Sequence, residues 1–493
     1  GNIQVALKSG SSEFHGDAFF FLRNDKLNAN DFFRNRNGQP RPRYRQGVYG
    51  LSVGGPIILP HFGEGGPYSH NGKNSHFFFF NYQGTHAASG TAAGTNFATN
   101  IPVLPTNRSE ANLIATFFPG GLPAGFTGLN PVALAYLNLP GSQCPDFGGQ
   151  FCIPTVAPNA GNGAAGFNGP DGTLSLGSLN RASLGTFKDN QFTITTDHQL
   201  TTNNKLSFRY FQSSNEAVRP FGTAGTLPFR QLAPGRNKFV KLGLTSVLSP
   251  RLVNDFKAGF NRFFFAFVPE ERISLTDIGA TRGNSGQFPG AYQSIVTGSF
   301  TIGPGVNDDR GGTFNTFVLG DDVSWSRGSH QFRFGGEGSY YELNRFNNFA
   351  VRGSLTFGGT SSAAATGLNA NALAALQFNT CKNDTNDCSA FQNFLRGRIT
   401  AIQSAFGDPA RNFIATDYSA FIQDDYRWKP NVTINLGLRW EAMSFGRDKL
   451  YRAGIFDPAL AAANKNPFLI PENVDLGGFK GTPGVRDCAL IRC

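Results

Sequence analysis

The sequence predicts an all-β protein, an antiparallel transmembrane β-barrel with long extracellular loops, and three observations predict it. Between Asn431 and Glu441 the chain alternates without a break: Val432, Ile434, Leu436, Leu438 and Trp440 fall on one side, Asn431, Thr433, Asn435, Arg439 and Glu441 on the other. Residues two apart share a face of a β-strand, so one face is apolar and the other wet, and the pattern recurs along the chain. Second, charged residues make up 15%, well below the roughly 25% of soluble domains, yet no run of about 18 apolar residues supplies a spanning helix. Third, Phe occurs 50 times and Gly 61 times in 493 residues while Met occurs once, a composition of aromatic strands and turns rather than helices. Lipid outside and an aqueous lumen inside account for all three.

Taken in order, the strands run from Phe14 to Arg23, Gly47 to Ile57, His76 to Gly84, Asp189 to Leu200, Lys205 to Gln212, Lys238 to Leu248, Leu252 to Phe264, Phe314 to Ser326, His330 to Glu342, Asp417 to Trp428 and Val432 to Ala442. Most reach the roughly 9–11 residues that a tilted strand needs to cross hydrocarbon. Tight connections at Thr201 to Asn204, Ser249 to Arg251, Arg327 to Ser329 and Lys429 to Asn431 consist of hairpin-turn residues. Between the hairpins lie long segments: Thr85 to Lys188, Ser213 to Asn237, Phe265 to Thr313 and Leu343 to Thr416. Outer-membrane barrels sort short turns to the periplasm and long loops to the outside in this way, the exception being a long periplasmic connection from Leu59 to Ser75. The net charge of +10 raises nucleic acid as a partner, but Lys and Arg are scattered along the chain rather than gathered into a stripe, so no nucleic acid is expected.

The six cysteines form three close pairs, Cys144 with Cys152, Cys381 with Cys388 and Cys488 with Cys493, and strand parity puts all three on the extracellular side. Local disulfides stapling loops are expected there, since the spacings do not supply the two pairs that a zinc site needs. Position 1 is Gly, and no charged, then apolar leader follows it, which reads as a piece of a longer secreted chain.

Five stretches in order resemble TonB-dependent outer-membrane receptors, particularly the Oar-like group of acidobacterial and myxobacterial type. They are Gly1-Asn-Ile-Gln-Val-Ala-Leu-Lys-Ser-Gly-Ser-Ser-Glu-Phe-His-Gly16, Gly50-Leu-Ser-Val-Gly-Gly-Pro56, Leu248-Ser-Pro-Arg-Leu-Val-Asn-Asp255, Asp321-Asp-Val-Ser-Trp-Ser-Arg-Gly-Ser-His330, and Phe421-Ile-Gln-Asp-Asp-Tyr-Arg-Trp-Lys-Pro430 running on to Leu436-Gly-Leu-Arg-Trp-Glu441. The resemblance implies that residues 1–12 close a plug domain and residues 13–493 form the N-terminal portion of the barrel. Such barrels have 22 strands around a plug, so eleven strands make about half of one, and an open sheet with free edges at Phe14 to Arg23 and Val432 to Ala442 is expected. The chain carries no TonB box and no final strand ending in an aromatic residue.

Alternation assigns Arg209, Asp255, Lys257, Asp322, Arg333, Glu337, Asp425, Arg427, Arg439 and Glu441 to the lumen, where a packed plug must have its polar surface matched. They either hold the plug or line a solute route. The repeated Asp321-Asp322 and Asp424-Asp425 pairs suggest a metal or acid-base site, but adjacent strand residues point apart. Trp325 and Trp428 then belong to the periplasmic aromatic girdle, with Asp321 and Asp424 beyond the apolar band. The segment from Lys382 to Asp387 offers oxygen ligands but lacks the length and final Glu of a calcium loop. No histidine stands at nucleophile spacing, and no phosphate-cradling glycine loop precedes a helix. The expectation is therefore a receptor and transporter rather than an enzyme, without cofactor or metal. Its partners would be outer-membrane lipid, a TonB-type energising protein and an unidentified scarce solute. The alternative is a barrel that anchors its loops for surface adhesion.

Overall fold

The computed structural model describes residues 7–38, 40–60, 69–72, 74–91, 96–123, 125–144, 146–147, 149–167, 174–222, 229–270, 273–282, 288, 290–359, 388–405, 409–449, 455–456, 458–463 and 468–469. Eleven long strands form one continuous antiparallel sheet in chain order: β1 His15–Asn24, β2 Tyr44–Pro56, β3 His76–Ser89, β4 Gly185–Thr201, β5 Asn204–Arg219, β6 Gln231–Ser249, β7 Leu252–Pro269, β8 Arg310–Arg327, β9 His330–Asn347, β10 Ala410–Lys429 and β11 Val432–Met443. A two-residue strand, Arg447–Asp448, adds to β10 off this path. The sheet is open, with β1 and β11 at its edges, as an incomplete barrel requires. Among the described residues no helix is long and apolar enough to cross a membrane.

Every strand predicted from alternation is present, but the strands run further toward the long loops than predicted. β7, for example, continues through Pro269, and β5 through Ser213 to Arg219. Eighteen residues, the length of β7, span about 60 Å at roughly 3.3 Å per residue, about twice the hydrocarbon thickness. Outside the membrane the outer face need not be apolar, so the ladder continues where the sequence period has faded. The hairpin ends are tight: Gly328 adopts a left-handed φ of 62° between β8 and β9, a conformation that costs glycine little. Register shifts sit at three of these turns, between Gln199 and Thr201, Val247 and Ser249, and Arg427 and Lys429. The long connection from β2 to β3 carries its own short hairpin, Ile58–Pro60 against Ser69–Asn71.

The hydrophobic core is not in the wall. It consists of residues from four segments on the long-loop side, among them Leu113, Phe117, Tyr136, Phe229, Ile278, Phe300, Phe391 and Phe394. Three short helices, α1 Glu110–Phe117, α2 Pro131–Asn138 and α3 Ala390–Arg396, pack there with the paired strands Asn96–Pro102 and Leu176–Ala182. A four-stranded sheet of Thr301–Ile302, Gln293–Val296, Ser354–Phe357 and Ala401–Gln403 completes this cap. Asn130 caps α2 by accepting from Val132 and Ala133 N–H, and Ser389 with Gln392 forms a capping box on α3.

Candidate functional site

Cross-strand register fixes which side chains share a face. Starting from Lys257, the pairs Asp255 with Asp322, Gly320 with Glu337, and Ser419 with Glu441 carry one face across β7 to β11. All ten lumen candidates fall on it. Most are matched within the wall: Lys257 Nζ lies 3.4 Å from Asp322 and 3.2 Å from Glu337, linking three neighbouring strands. Thr245 donates to Asp255 at 2.8 Å, Gln423 to Asp425 at 3.0 Å, and Arg439 meets Glu441 at 2.5 Å. Arg333 and Arg427 share the face without an ion pair among the described residues.

The tightest cluster includes a residue that sequence reasoning missed. Asp197, 3% exposed on β4, accepts both oxygens' worth of bonds from Arg209 Nη2 at 2.9 Å, has Lys205 at 3.8 Å, and accepts from the Ser9 hydroxyl. Its neighbour Thr195 donates to the Lys8 carbonyl at 2.9 Å. The segment before β1 thus lies against the wall, and Gly10 sits so close that a Cβ there would clash with the Phe78 carbonyl. The alternation that marks Arg209 puts Asp197 on the same face across the hairpin, whereas its Ser9 partner is 188 residues away and no local pattern encodes it.

On the opposite face, Trp325 stacks near Phe332 with centroids 5.6 Å apart and carries Arg327 at 5.5 Å, while Lys429 lies 4.6 Å over Trp428. His330 stacks on Tyr426 at 4.3 Å and bonds Asp424 at 2.7 Å. Asp321 departs from expectation. Its outward neighbours on β8 are Leu319 and Val323, so it lies within the apolar row rather than beyond it, held by Asn254 at 2.7 Å. That bond satisfies a carboxylate that hydrocarbon would otherwise penalise.

The cap joins loops that are far apart in sequence. Arg230 makes a two-point bond to Asp146 at 2.5 and 2.9 Å, which holds its guanidinium above the ordinary range. Gln392 donates to the Phe117 carbonyl and the Asn130 N–H donates to that of Leu395. Arg108 is buried without a carboxylate, donates to Leu137 O and Thr155, and stacks 4.0 Å over Phe151; burial pushes its pKa down to about 10. Between α2, α3 and the small sheet opens a pocket of about 380 Å³ lined by Tyr136, Tyr292, Ser294, Phe357, Phe394 and Ile402. The Tyr136 hydroxyl lies in it beside Ser294, and burial raises its pKa. Such a lining, mostly aromatic and aliphatic with a few hydroxyls, suits a small, largely apolar molecule.

Cys144 and Cys152 form a disulfide with Cα atoms 5.2 Å apart, both inside the cap core. Cys388 is disulfide-bonded too, while Cys381, Cys488, Cys493 and the segment 382–387 lie outside the described residues. Among the described residues no group of side chains is arranged to hold a metal ion. Cys144→Ser is expected to cost the cap about 2–3 kcal/mol, the value of closing a short loop. Faster limited proteolysis between residues 139 and 156 checks it; unchanged cleavage rates would show the bond to be dispensable.

Cations were judged scattered from the sequence, but register gathers some of them. Arg45, His86, Lys188, Arg236, Lys238 and Arg262 all lie exposed on the outer face toward the long loops. Applying parity to the outward charges as well as to those facing the lumen would have found them.

An open antiparallel wall with an apolar outside, a charged inside and a folded cap over its long-loop end defines an outer-membrane barrel protein. The chain belongs to the family described as the outer membrane beta barrel domain, whose model matches residues 6–487, and its place is the bacterial outer membrane. No curated protein matches it in sequence. Among solved structures it is similar to the outer membrane transporter YddB from Escherichia coli, at 8% identity and a TM-score of 0.42 over 88% of this chain and 40% of that one. It is similar also to the siderophore receptor PirA from Acinetobacter baumannii, at 9% identity and 0.38 over 90% of this chain and 40% of that one. The ferric enterobactin receptor PfeA from Pseudomonas aeruginosa stands at 11% and 0.38, over 89% and 40%. The chain therefore spans about 40% of the length of these structures.

Proposed function

We propose that the chain is part of a TonB-dependent receptor of the Oar-like group that imports a scarce solute across the outer membrane. The observation that carries this reading is the segment Lys8 to Gly10, bound to the lumen wall through Asp197 and Thr195. A simple anchor for surface loops has no need of chain inside its lumen, whereas a plug must be tied to the wall it fills. On this reading residues 1–12 end the plug and residues 13–493 are barrel. The lumen cations Arg333 and Arg427 face the plug, Trp325 and Trp428 anchor the periplasmic side, and the cap pocket around Tyr136 makes first contact with solute. A TonB-type protein supplies the energy, and the chemistry is binding and passage rather than catalysis.

Asp197→Ala is expected to cost about 2–3 kcal/mol, since it strands Arg209 and frees Ser9, and to speed amide exchange at residues 8–10; unchanged exchange would detach this segment from the wall. For the function, a strain lacking the gene is compared with its parent on limiting iron chelates, copper and organic cofactors. A growth defect on one solute that is no deeper when the TonB-type protein is also deleted supports import. Normal growth on every solute together with lost attachment to surfaces would select the adhesion reading instead.

A further inference from the structure

Lipid-facing cations are costly, and a barrel places them only where something anionic meets them. On β2, β3 and β4 the outward residues toward the cap are Arg45, His86 and Lys188, with His86 paired directly across from Lys188. Together with Leu22, Gly47 and Ala88 they line a shallow pocket of about 290 Å³ on the outer face. Its floor is apolar and small, because Gly47 and Ala88 leave room beside Leu22, and its rim is cationic. Two outward positions below Lys188 the apolar belt begins at Phe192, pairing with Tyr82. The same boundary recurs on β6 and β7, where Lys238 and Arg262 pair with each other immediately above Val240 and Phe260. Glu216, across from Lys188, is the outward carboxylate of these rows.

We propose that this pocket binds a phosphorylated, acylated lipid of the outer leaflet, with the phosphate held by Arg45 and Lys188 and an acyl chain lying over Leu22 and Ala88. A soluble anion destined for the lumen has no reason to bind here, since the site faces away from the lumen and opens toward the acyl layer. Cations at the hydrocarbon boundary are where anionic headgroups are attracted most strongly.

The test uses the whole protein extracted from outer membranes into detergent and titrated with diphosphoryl lipid A by native mass spectrometry. Saturable binding is expected, at least tenfold weaker in R45S/K188S and unchanged in Lys241→Ser, which removes a charge from the lumen face. Should the double variant not reach the membrane, Lys188→Gln is read the same way. Three results overturn the site: equal lipid A affinity in the variant, displacement by millimolar pyrophosphate, which would make it a free-anion site, or equal affinity for phosphatidylethanolamine.

Discussion

Phe394→Ala is expected to unfold the cap while leaving the wall intact, at a cost of about 3–5 kcal/mol. Phe394 is 2% exposed on α3 and touches rings from two of the other loops that build the core as well as from its own. Phe300 and Phe357 meet it edge-on at 5.7 and 5.3 Å, and Tyr136 lies at 6.5 Å. Such pairs each add about 0.5–1.5 kcal/mol beyond the area they bury. Truncation also enlarges the neighbouring pocket, so that α2 and the small sheet lose their common support. The readout is hydrogen exchange across residues 110–117, 131–138 and 390–396, expected to rise together, with heat-modifiable migration of the barrel retained. Phe317→Ala, on the lipid face at 45% exposure, is the matched control and should leave cap exchange as it was. Exchange that rises in α3 alone would mean that the loops fold separately, against the shared core.

The wall was legible in the sequence and the cap was not, for a physical reason. A strand between lipid and water meets two solvents, and each second residue reports which one it faces, so Val432 to Ala442 could be read from eleven residues alone. In the cap there is one solvent and one core. Leu113 and Phe117 bury against Phe391, whose helix arrives some 275 residues later, and no local period encodes that meeting. The extracellular extensions of the strands fall between these cases, with ladder bonds intact and alternation gone. The charges assigned to the lumen share one face of the wall, but their partners were not foreseen. Lys257 is expected from the sequence to hold a plug or line a solute route, and Asp322 and Glu337 on the next two strands already pair with it. Asp321 was misplaced because alternation gives a residue's face and not its depth.

Depth is what the second large effect measures. Leu242→Arg is expected to destabilise the barrel by about 2–4 kcal/mol, the cost of a cation near the bilayer midplane. On β6 its outward neighbours are Val240 and Leu244, and its cross-strand partners are Phe208 and Ala258, so nothing nearby can take the charge. Leu436→Arg is a different case: Leu436 stands directly across from Asp424, and the new guanidinium gains a carboxylate within cross-strand reach, so its cost should fall below that of Leu242→Arg. Thr316→Arg, on the lumen face between Asn261 and Tyr341, keeps its charge in water and should cost less than about 1 kcal/mol, as surface substitutions do. Folding the whole protein reversibly into lipid vesicles, followed by tryptophan fluorescence, ranks the three. The expected order is Leu242, then Leu436, then Thr316. Equal costs at Leu242 and Thr316 would contradict the assignment of one face to lipid and the other to an aqueous lumen. A cost at Leu436 as large as that at Leu242 would show that Asp424 is already committed to His330 and does not turn toward a new partner.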